Sequence, residues 1–385
     1  MATPRGRLLF VINETWFFMS HRRPVAEAAR AMGFEVHVAA PDDHVWAPKD
    51  FGVEALPKAG FTYHPIPLSR RGINPLGELR TLWALWRLYR RLRPDLVHHL
   101  TIKPVLYGGV VARLAGVPAV ISGITGLGQV FVGRGPAFAL LRAIAKLAYR
   151  WALGHRNLQV IVQNPEDGET LIAAGAIGRE RVNLVRGSGV RLEDFPGGPE
   201  PAGVPLVILP ARLIWEKGVA EFVEAAGRLR GRARFVLVGD THPSNPRAVP
   251  EAKLRGWQDD GTVEWWGRRD DMPEVFAACH IVCLPSRYGE GVPKVLIEAA
   301  SAGRAIVTTD MPGCREIVRH EENGLLVAPG AIDPLVEALA RLIEDPALRA
   351  RLGAAGRRIV AEGFSTEEVV RRTLAVYERV LRPAR

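Results

Sequence analysis

Glu290 and Glu298 stand with seven residues between them. The first lies in the run Ser286-Arg287-Tyr288-Gly289-Glu290-Gly291-Val292-Pro293-Lys294, and the second inside the apolar stretch 295–300. An ionised carboxylate accepts two hydrogen bonds side by side, which suits the hydroxyls of a sugar or a ribose. A charge among apolar neighbours is costly unless something pairs with it. Glu298 therefore requires either a bound hydroxyl pair or a structural cation, and Glu290 reads as a ligand contact or a solvated loop carboxylate. Gly289 and Gly291 allow close backbone approach to a ligand. Pro293, after Val292, fits the first turn of a helix that runs to about Ala302 and is capped by Gly303. Such a helix start favours phosphate.

A second cluster precedes it. Ala211-Arg212-Leu213-Ile214-Trp215-Glu216-Lys217-Gly218 follows an apolar run and leads into an amphipathic stretch from Val219. Arg212 and Lys217 beside a helix start are placed to hold a diphosphate; the plainer reading is a solvated loop with routine charges. No Asp-x-Asp triplet occurs, so a phosphate-bridging metal has no evident ligands. Neither a metal nor a cofactor is expected.

The elements that must position these residues alternate. Strands are expected at 8–12, 36–40, 96–98 and 117–121. After a breaker cluster at 197–204 they recur at 206–209, 234–238, 262–266, 281–284, 305–308 and 325–327. Helices fit between, as at 22–32 before Gly33 and at 104–114. Such alternation predicts parallel sheets with both faces covered, an α/β class. At 385 residues the chain is long for one core, which predicts two doubly wound domains, 1–196 and 204–365.

Composition narrows the classes. Apolar residues make up 48% and charged residues 24%, ordinary for a globular chain with sizeable cores. Three cysteines, Cys279, Cys283 and Cys314, make neither a disulfide framework nor a zinc site; the first two are expected to pack as small buried hydrophobes. The apolar run 8–12 is too short for a signal peptide, and no window reaches the roughly 18 to 20 apolar residues of a membrane span. A cytoplasmic, non-spanning protein is the expectation. Net charge is +10, which draws polyanions: nucleic acid, anionic lipid or phosphorylated substrate.

The Glu290-x7-Glu298 pair resembles the signature of retaining glycosyltransferases with the GT-B fold, particularly family 4. The run Arg212-Leu213, Glu216-Lys217-Gly218 is similar to that family's second motif. Asp310-x-Pro312-Gly313-x-x-Glu316-Ile317-Val318 and Asn323-Gly324-Leu325-Leu326-Val327 match later segments. The likeness implies two Rossmann-like domains facing a cleft, with the donor in the second and a C-terminal helix, 366–385, packing back on the first. It implies that Glu298 holds the donor ribose and Glu290 the transferred sugar, with Gly289, Gly291, Val292 and Pro293 alongside. Arg212 and Lys217 bind the diphosphate in this reading, where preorganised cations stabilise the charge that develops on the leaving group. The donor base is expected to be uracil on the same ground.

The first half resembles bacterial enzymes that extend lipid-diphosphate-linked glycans. His21-Arg22-Arg23-Pro24, Thr101-Ile102-Lys103-Pro104 with Tyr107-Gly108, Thr125-Gly126-Leu127-Gly128 and Gly187-Ser188-Gly189-Val190 carry that likeness. It implies a polyprenyl-diphosphate-linked glycan as acceptor; His21, His98 and Lys103 are candidate contacts to the acceptor or to a phosphate, Lys103 from its place at a strand's carboxyl edge. Two departures stand out: Asn13-Glu14-Thr15-Trp16 replaces a glycine-rich first loop, and Leu100 occupies the second position of the usual His-x-His. His98 reads equally as a core residue satisfying local hydrogen bonds. Residues 79–93 interleave leucine and tryptophan with five arginines. That pattern fits an anionic membrane surface, or a helix packing its apolar face on the sheet.

Two other classes compete. A sugar-nucleotide isomerase or epimerase on the same fold would consume donor without acceptor. A basic nucleic-acid-binding protein would need aromatic–basic binding modules, and none is present.

Overall fold

The computed structural model describes residues 5–42, 51–69, 74–127, 136–241 and 245–382. The chain forms two compact units, Met1–Ser188 with Thr366–Arg385, and Gly189–Ser365.

The first unit holds seven strands: β1 Gly6–Val11, β2 Phe34–Ala40, β3 Thr62–Pro65, β4 Leu96–Leu100, β5 Ala119–Ile124, β6 Leu158–Val162 and β7 Val182–Leu184. Every pairing is parallel, in the order β3-β2-β1-β4-β5-β6-β7. Central strands covered on both faces read as apolar runs, which is why β1 and β2 are visible in the sequence. The strands β3, β6 and β7 were not. β3 and β7 are half-exposed edges without an apolar run, and Gln159 interrupts β6, where its side-chain oxygen accepts from Asn183 of β7 at 2.8 Å.

The second unit has six strands: β8 Leu206–Pro210, β9 Arg234–Val238, β10 Glu264–Gly267, β11 Ile281–Leu284, β12 Ala305–Thr309 and β13 Leu325–Val327. They too are parallel, in the order β10-β9-β8-β11-β12-β13. Phe222, Leu237, Cys283, Leu339 and Leu352 fill one side of this sheet, and Phe276, Val282, Leu296 and Ile306 the other. All three cysteines are buried, and burial pushes the Cys279 thiol up to about 12.

The breaker cluster 197–204 packs within the second unit. Phe195 meets Phe276 edge-on at 5.8 Å between centroids, Arg349 holds Glu200 at 2.7 Å, and Arg357 donates to the Phe195 carbonyl. Glycine and proline mark where the backbone turns; the aromatic and ionic contacts decide which core it joins. The unit therefore begins at Gly189, earlier than composition implies. Helix Thr366–Leu381 lies in the first unit, with Val369, Val376, Tyr377 and Val380 in its core. No helix among the described residues is long and apolar enough to cross a membrane.

Candidate active site

In an open parallel sheet, ligands bind beyond the carboxyl ends of the strands where the winding reverses. In the second unit that place lies between β8 and β11, and both charged motifs emerge there. Residues 211–218 follow β8 and residues 285–293 follow β11.

The two loops are fastened together. The Glu216 carbonyl accepts from the Arg287 amide at 2.8 Å, with the Ser286 hydroxyl oxygen 3.3 Å away. Gly218 sits at φ 77°, and a Cβ there would lie 2.1 Å from the Pro285 carbonyl oxygen, so only glycine fits. Thr309, at the end of β12, donates its hydroxyl to the Ser286 carbonyl at 2.5 Å.

This frame brings Lys217 and Glu290 into contact. The lysine Nζ lies 2.5 Å from Oε2 of Glu290, and Ser286 donates to Oε1 at 2.9 Å. Side-chain exposure is 10% for Lys217 and 16% for Glu290, so the pair is shielded but reachable. Arg212 is exposed on the same loop. Glu216 pairs with Arg247 at 3.3 Å, and Arg287 with Glu221 at 2.9 Å. Burial raises the phenol of Tyr288, and the nearby Glu290 charge pushes the same way.

Helix Lys294–Ser301 opens at the same edge. Pro293 is its cap residue, with extended ψ of 118°, one position before the helix and outside its expected first turn. A ring that fixes φ without supplying an N–H serves a cap as well as a first turn, so sequence places it only to within a residue. Glu298 lies one turn in and meets Lys294 at 3.4 Å. Its carboxyl is raised by burial, with Lys294 pulling the other way. The structure thus supplies the cation that the apolar setting of Glu298 required, and the carboxylate stays 13% exposed.

Gly289 and Gly291 are not in the left-handed region. A close approach of backbone to backbone is made by Gly313: a Cβ there would fall 1.5 Å from the Gly291 carbonyl oxygen and 2.7 Å from that of Glu290. The later Pro312-Gly313 motif is therefore a buttress under the Glu290 loop. Its signal was in the sequence as a motif, but its target was not.

The first unit has its own reversal point, between β1 and β4. His98 is buried there, with Nδ1 2.6 Å from the Tyr377 hydroxyl. Its neighbour His99 faces the other side, with Nε2 2.8 Å from the Tyr89 hydroxyl. Burial holds His98 well below the ordinary imidazole range, reinforced by Arg22, and lowers His99 to about 3. Both rings stay neutral. Lys103 pairs with Glu78 at 2.6 Å and donates to the Ser69 carbonyl at 2.9 Å. His21 contacts the Ser20 hydroxyl at 2.6 Å and stacks on Phe17 at 4.4 Å. The inward-facing cation of that motif is Arg22, which burial lowers to about 10. Sequence reasoning missed it, because nothing in His-Arg-Arg-Pro says which side chain turns inward. Gly128 lies outside the described residues. A cavity of about 690 Å³ opens at this edge, lined by Asp42, Ser69, Arg80 and Trp83 among others. Among the described residues no group of three or more His, Cys, Asp or Glu is placed to hold a metal ion.

Two Rossmann-like parallel sheets, with paired cations and carboxylates at the reversal point of the second, define a nucleotide-sugar glycosyltransferase architecture. The comparisons agree. A family model described as "Glycosyl transferases group 1" matches residues 204–345, and one described as "Glycosyl transferase 4-like" matches residues 7–164. The chain belongs to the family 4 glycosyltransferases of GT-B fold.

Among curated proteins it is similar to the N,N'-diacetylbacillosaminyl-diphospho-undecaprenol alpha-1,3-N-acetylgalactosaminyltransferase of Campylobacter jejuni. The identity is 27%, over 95% of this chain and 98% of that one. It is 26% identical to the UDP-Gal:alpha-D-GlcNAc-diphosphoundecaprenol alpha-1,3-galactosyltransferase of Escherichia coli, over 74% of this chain and 75% of that one. Among solved structures, a glycosyltransferase from Rickettsia africae superposes with a TM-score of 0.78 at 18% identity, covering 98% of this chain and 99% of that one. HepE from Anabaena, solved with UDP-glucose, gives 0.74 at 19%, covering 97% and 99%.

Proposed function

We propose that this enzyme moves a hexose or N-acetylhexosamine from a UDP-sugar to a polyprenyl-diphosphate-linked glycan, with retention at the anomeric carbon. The acceptor is met at the cytoplasmic face of a membrane, where the protein is peripheral. The observation that carries the reading is the Lys217–Glu290 contact at the reversal point of the second sheet, beside the start of the Lys294–Ser301 helix.

In this reading Lys217 and Arg212 hold the donor diphosphate, Glu290 the transferred sugar and Glu298 the ribose. The backbone of Gly289, Gly291, Val292 and Pro293 lines the phosphate. As the bond from the anomeric carbon to the diphosphate breaks, negative charge grows on the leaving oxygen, and fixed cations stabilise it there. The acceptor hydroxyl bonds to the same face of that carbon and passes its proton to the departing diphosphate. No protein base is required, which accords with neutral histidines whose affinity for protons is depressed. Two cations at the diphosphate make the transfer independent of a divalent metal. The first unit takes the acceptor, near the cavity that Arg80 and Trp83 line. The names of the two curated relatives support a diphospho-undecaprenol acceptor.

The test is a panel of nucleotide sugars incubated with undecaprenyl-diphosphate-linked glycans, with and without EDTA, followed by mass spectrometry and the anomeric coupling in NMR. Addition of one sugar mass in the α configuration, unchanged by EDTA, is expected. Donor consumption without any acceptor would replace this reading with an isomerase or hydrolase.

A further inference from the structure

Three helices of the first unit, Pro75–Leu92, Ile102–Ala115 and Pro136–Ala152, pack side by side, with the Ile102–Ala115 helix touching both others. A helix that covers a sheet should turn its apolar stripe inward and its polar stripe outward. The Pro75–Leu92 helix buries Thr81, Leu85, Leu88 and Tyr89 yet leaves Leu76, Leu79, Trp83 and Trp86 in solvent, with Leu76 78% and Trp83 56% exposed. These four recur at helical spacing and make a second apolar stripe. The Pro136–Ala152 helix repeats the arrangement with Leu141, Ile144, Leu147 and Trp151, the last 60% exposed. Ile102 and Leu114 are exposed on the helix between, and Leu106 and Val110 are half-exposed on the same side. The outer surface of the layer is thus apolar from one helix to the next.

Its charge is one-signed. The three helices carry nine lysines and arginines against a single acid, Glu78, which Lys103 already engages. Most of the chain's net +10 therefore sits on this layer. Arg80, Arg87, Arg90, Arg91, Arg113, Lys146 and Arg150 are exposed around the apolar stripes. The Arg87 guanidinium lies 4.5 Å over the Trp83 ring.

We propose that this three-helix face is a docking surface for an anionic lipid bilayer, the tryptophans and leucines entering the interface and the cations meeting lipid phosphates. The proposal deepens the reading of a lipid-borne acceptor and rests on it. The charge selects the occupant. A second copy of the chain related by a twofold axis would set the same cations against each other. Nucleic acid would answer the cations but leave twelve apolar side chains unmatched. An interface of acyl chains under anionic headgroups answers both. Arg80 and Trp83 belong to this face and also line the cavity at the carboxyl edge, so the cavity borders the docking surface.

The experiment is cosedimentation of the full chain with phosphatidylcholine vesicles, with and without phosphatidylglycerol, while tryptophan emission is recorded. Binding only to the phosphatidylglycerol vesicles, with a blue shift and weakening in salt, is expected. Trp86→Ser with Trp151→Ser should lower partitioning at least about tenfold while leaving circular dichroism unchanged. Arg87→Ala with Arg150→Ala should lower it about 30-fold at low salt. No binding by the folded wild type overturns the proposal. So does a dimer in light scattering that the same substitutions dissociate, or retention by duplex DNA without vesicle binding. Turnover of a short-chain, water-soluble acceptor is measured in parallel. If that turnover is missing while vesicle binding persists, the substrate reading fails and the docking surface stands.

Discussion

The two reversal points sit in sheets of the same parallel design, yet they differ in their electrostatics. At the second, between β8 and β11, ionised side chains meet in pairs: Lys217 with Glu290, Arg287 with Glu221, Lys294 with Glu298. At the first, between β1 and β4, neutral rings are bonded to tyrosines, His98 to Tyr377 and His99 to Tyr89, and the one buried cation beside them, Arg22, meets no carboxylate among the contacts described. A site for a diphosphate leaving group needs fixed charge, whereas a site that receives a neutral hydroxyl does not. The contrast teaches that the fold supplies a place for chemistry, and the loops decide its kind.

The largest way to break this comparison is Lys217→Ala. It removes a proposed diphosphate cation and leaves Glu290 shielded without its partner. A fall in kcat/KM of about 1,000-fold is expected from steady-state kinetics. A fall under tenfold would mean that the paired charges of the second unit are structural.

Gly313→Ala tests the buttress. Its Cβ has no room against the Gly291 carbonyl, so the Glu290 loop must shift. Calorimetric UDP affinity should drop at least about tenfold, with a stability loss of about 1 to 3 kcal/mol. Unchanged affinity would separate this glycine from the proposed donor site.

The two units should also respond to pH to different degrees: among the described residues five histidines lowered by burial lie in the first unit, and one, His280, in the second. In the first unit burial lowers His64 to about 4 and His99 to about 3, while unfolded histidine titrates near 6.5. As pH falls through 6.5 the unfolded chain takes up protons that the folded unit refuses, so stability is lost. Asp167, raised to about 6, opposes this in part, because it loses stability as pH rises. Glu298 in the second unit behaves as Asp167 does: its raised carboxyl costs stability as pH climbs above the unfolded value of 4.5. Hydrogen exchange at pH 5 and pH 7.5, corrected for intrinsic rates, should show the first unit opening more readily in acid. Equal change in both units would refute the contrast.

Glu298→Gln sharpens the same point at one residue. It should raise the melting temperature by a few degrees at pH 8 and leave it nearly unchanged at pH 4. Donor KM should rise about tenfold if the carboxylate holds the ribose. A higher KM without the thermal gain would show that Lys294 offsets the burial cost in full.

The smallest effect is expected from His98→Gln. The ring is neutral throughout the working range, so kcat should fall less than about tenfold and keep its pH profile between 6 and 8. Loss of an acidic limb from that profile would make the histidine a proton carrier after all.

Much of the second unit was legible because its signals are local. β9, β11 and β13 fall where their apolar runs predict, and both charged motifs follow apolar strands directly. The first unit was harder to read. Its edge strands β3 and β7 lack a buried face, and its key polar residues are paired across long separations, as His98 is with Tyr377, 279 positions away.

The sequence by itself determined the alternation of strands and helices, the carboxylate pair, the cation-bearing loop and the excess of positive charge. These depend on residue type and short spacing, which set backbone preference and chemistry before any packing occurs. Only the tertiary structure decided that Glu290 meets Lys217 across 73 positions, that Gly313 packs against the Gly291 carbonyl, and that residues 189–205 join the second core. It alone decided that the Pro75–Leu92 helix exposes one of its two apolar stripes. Each of these outcomes turns on which surfaces remain after the cores have filled, and that is a property of the whole packed chain.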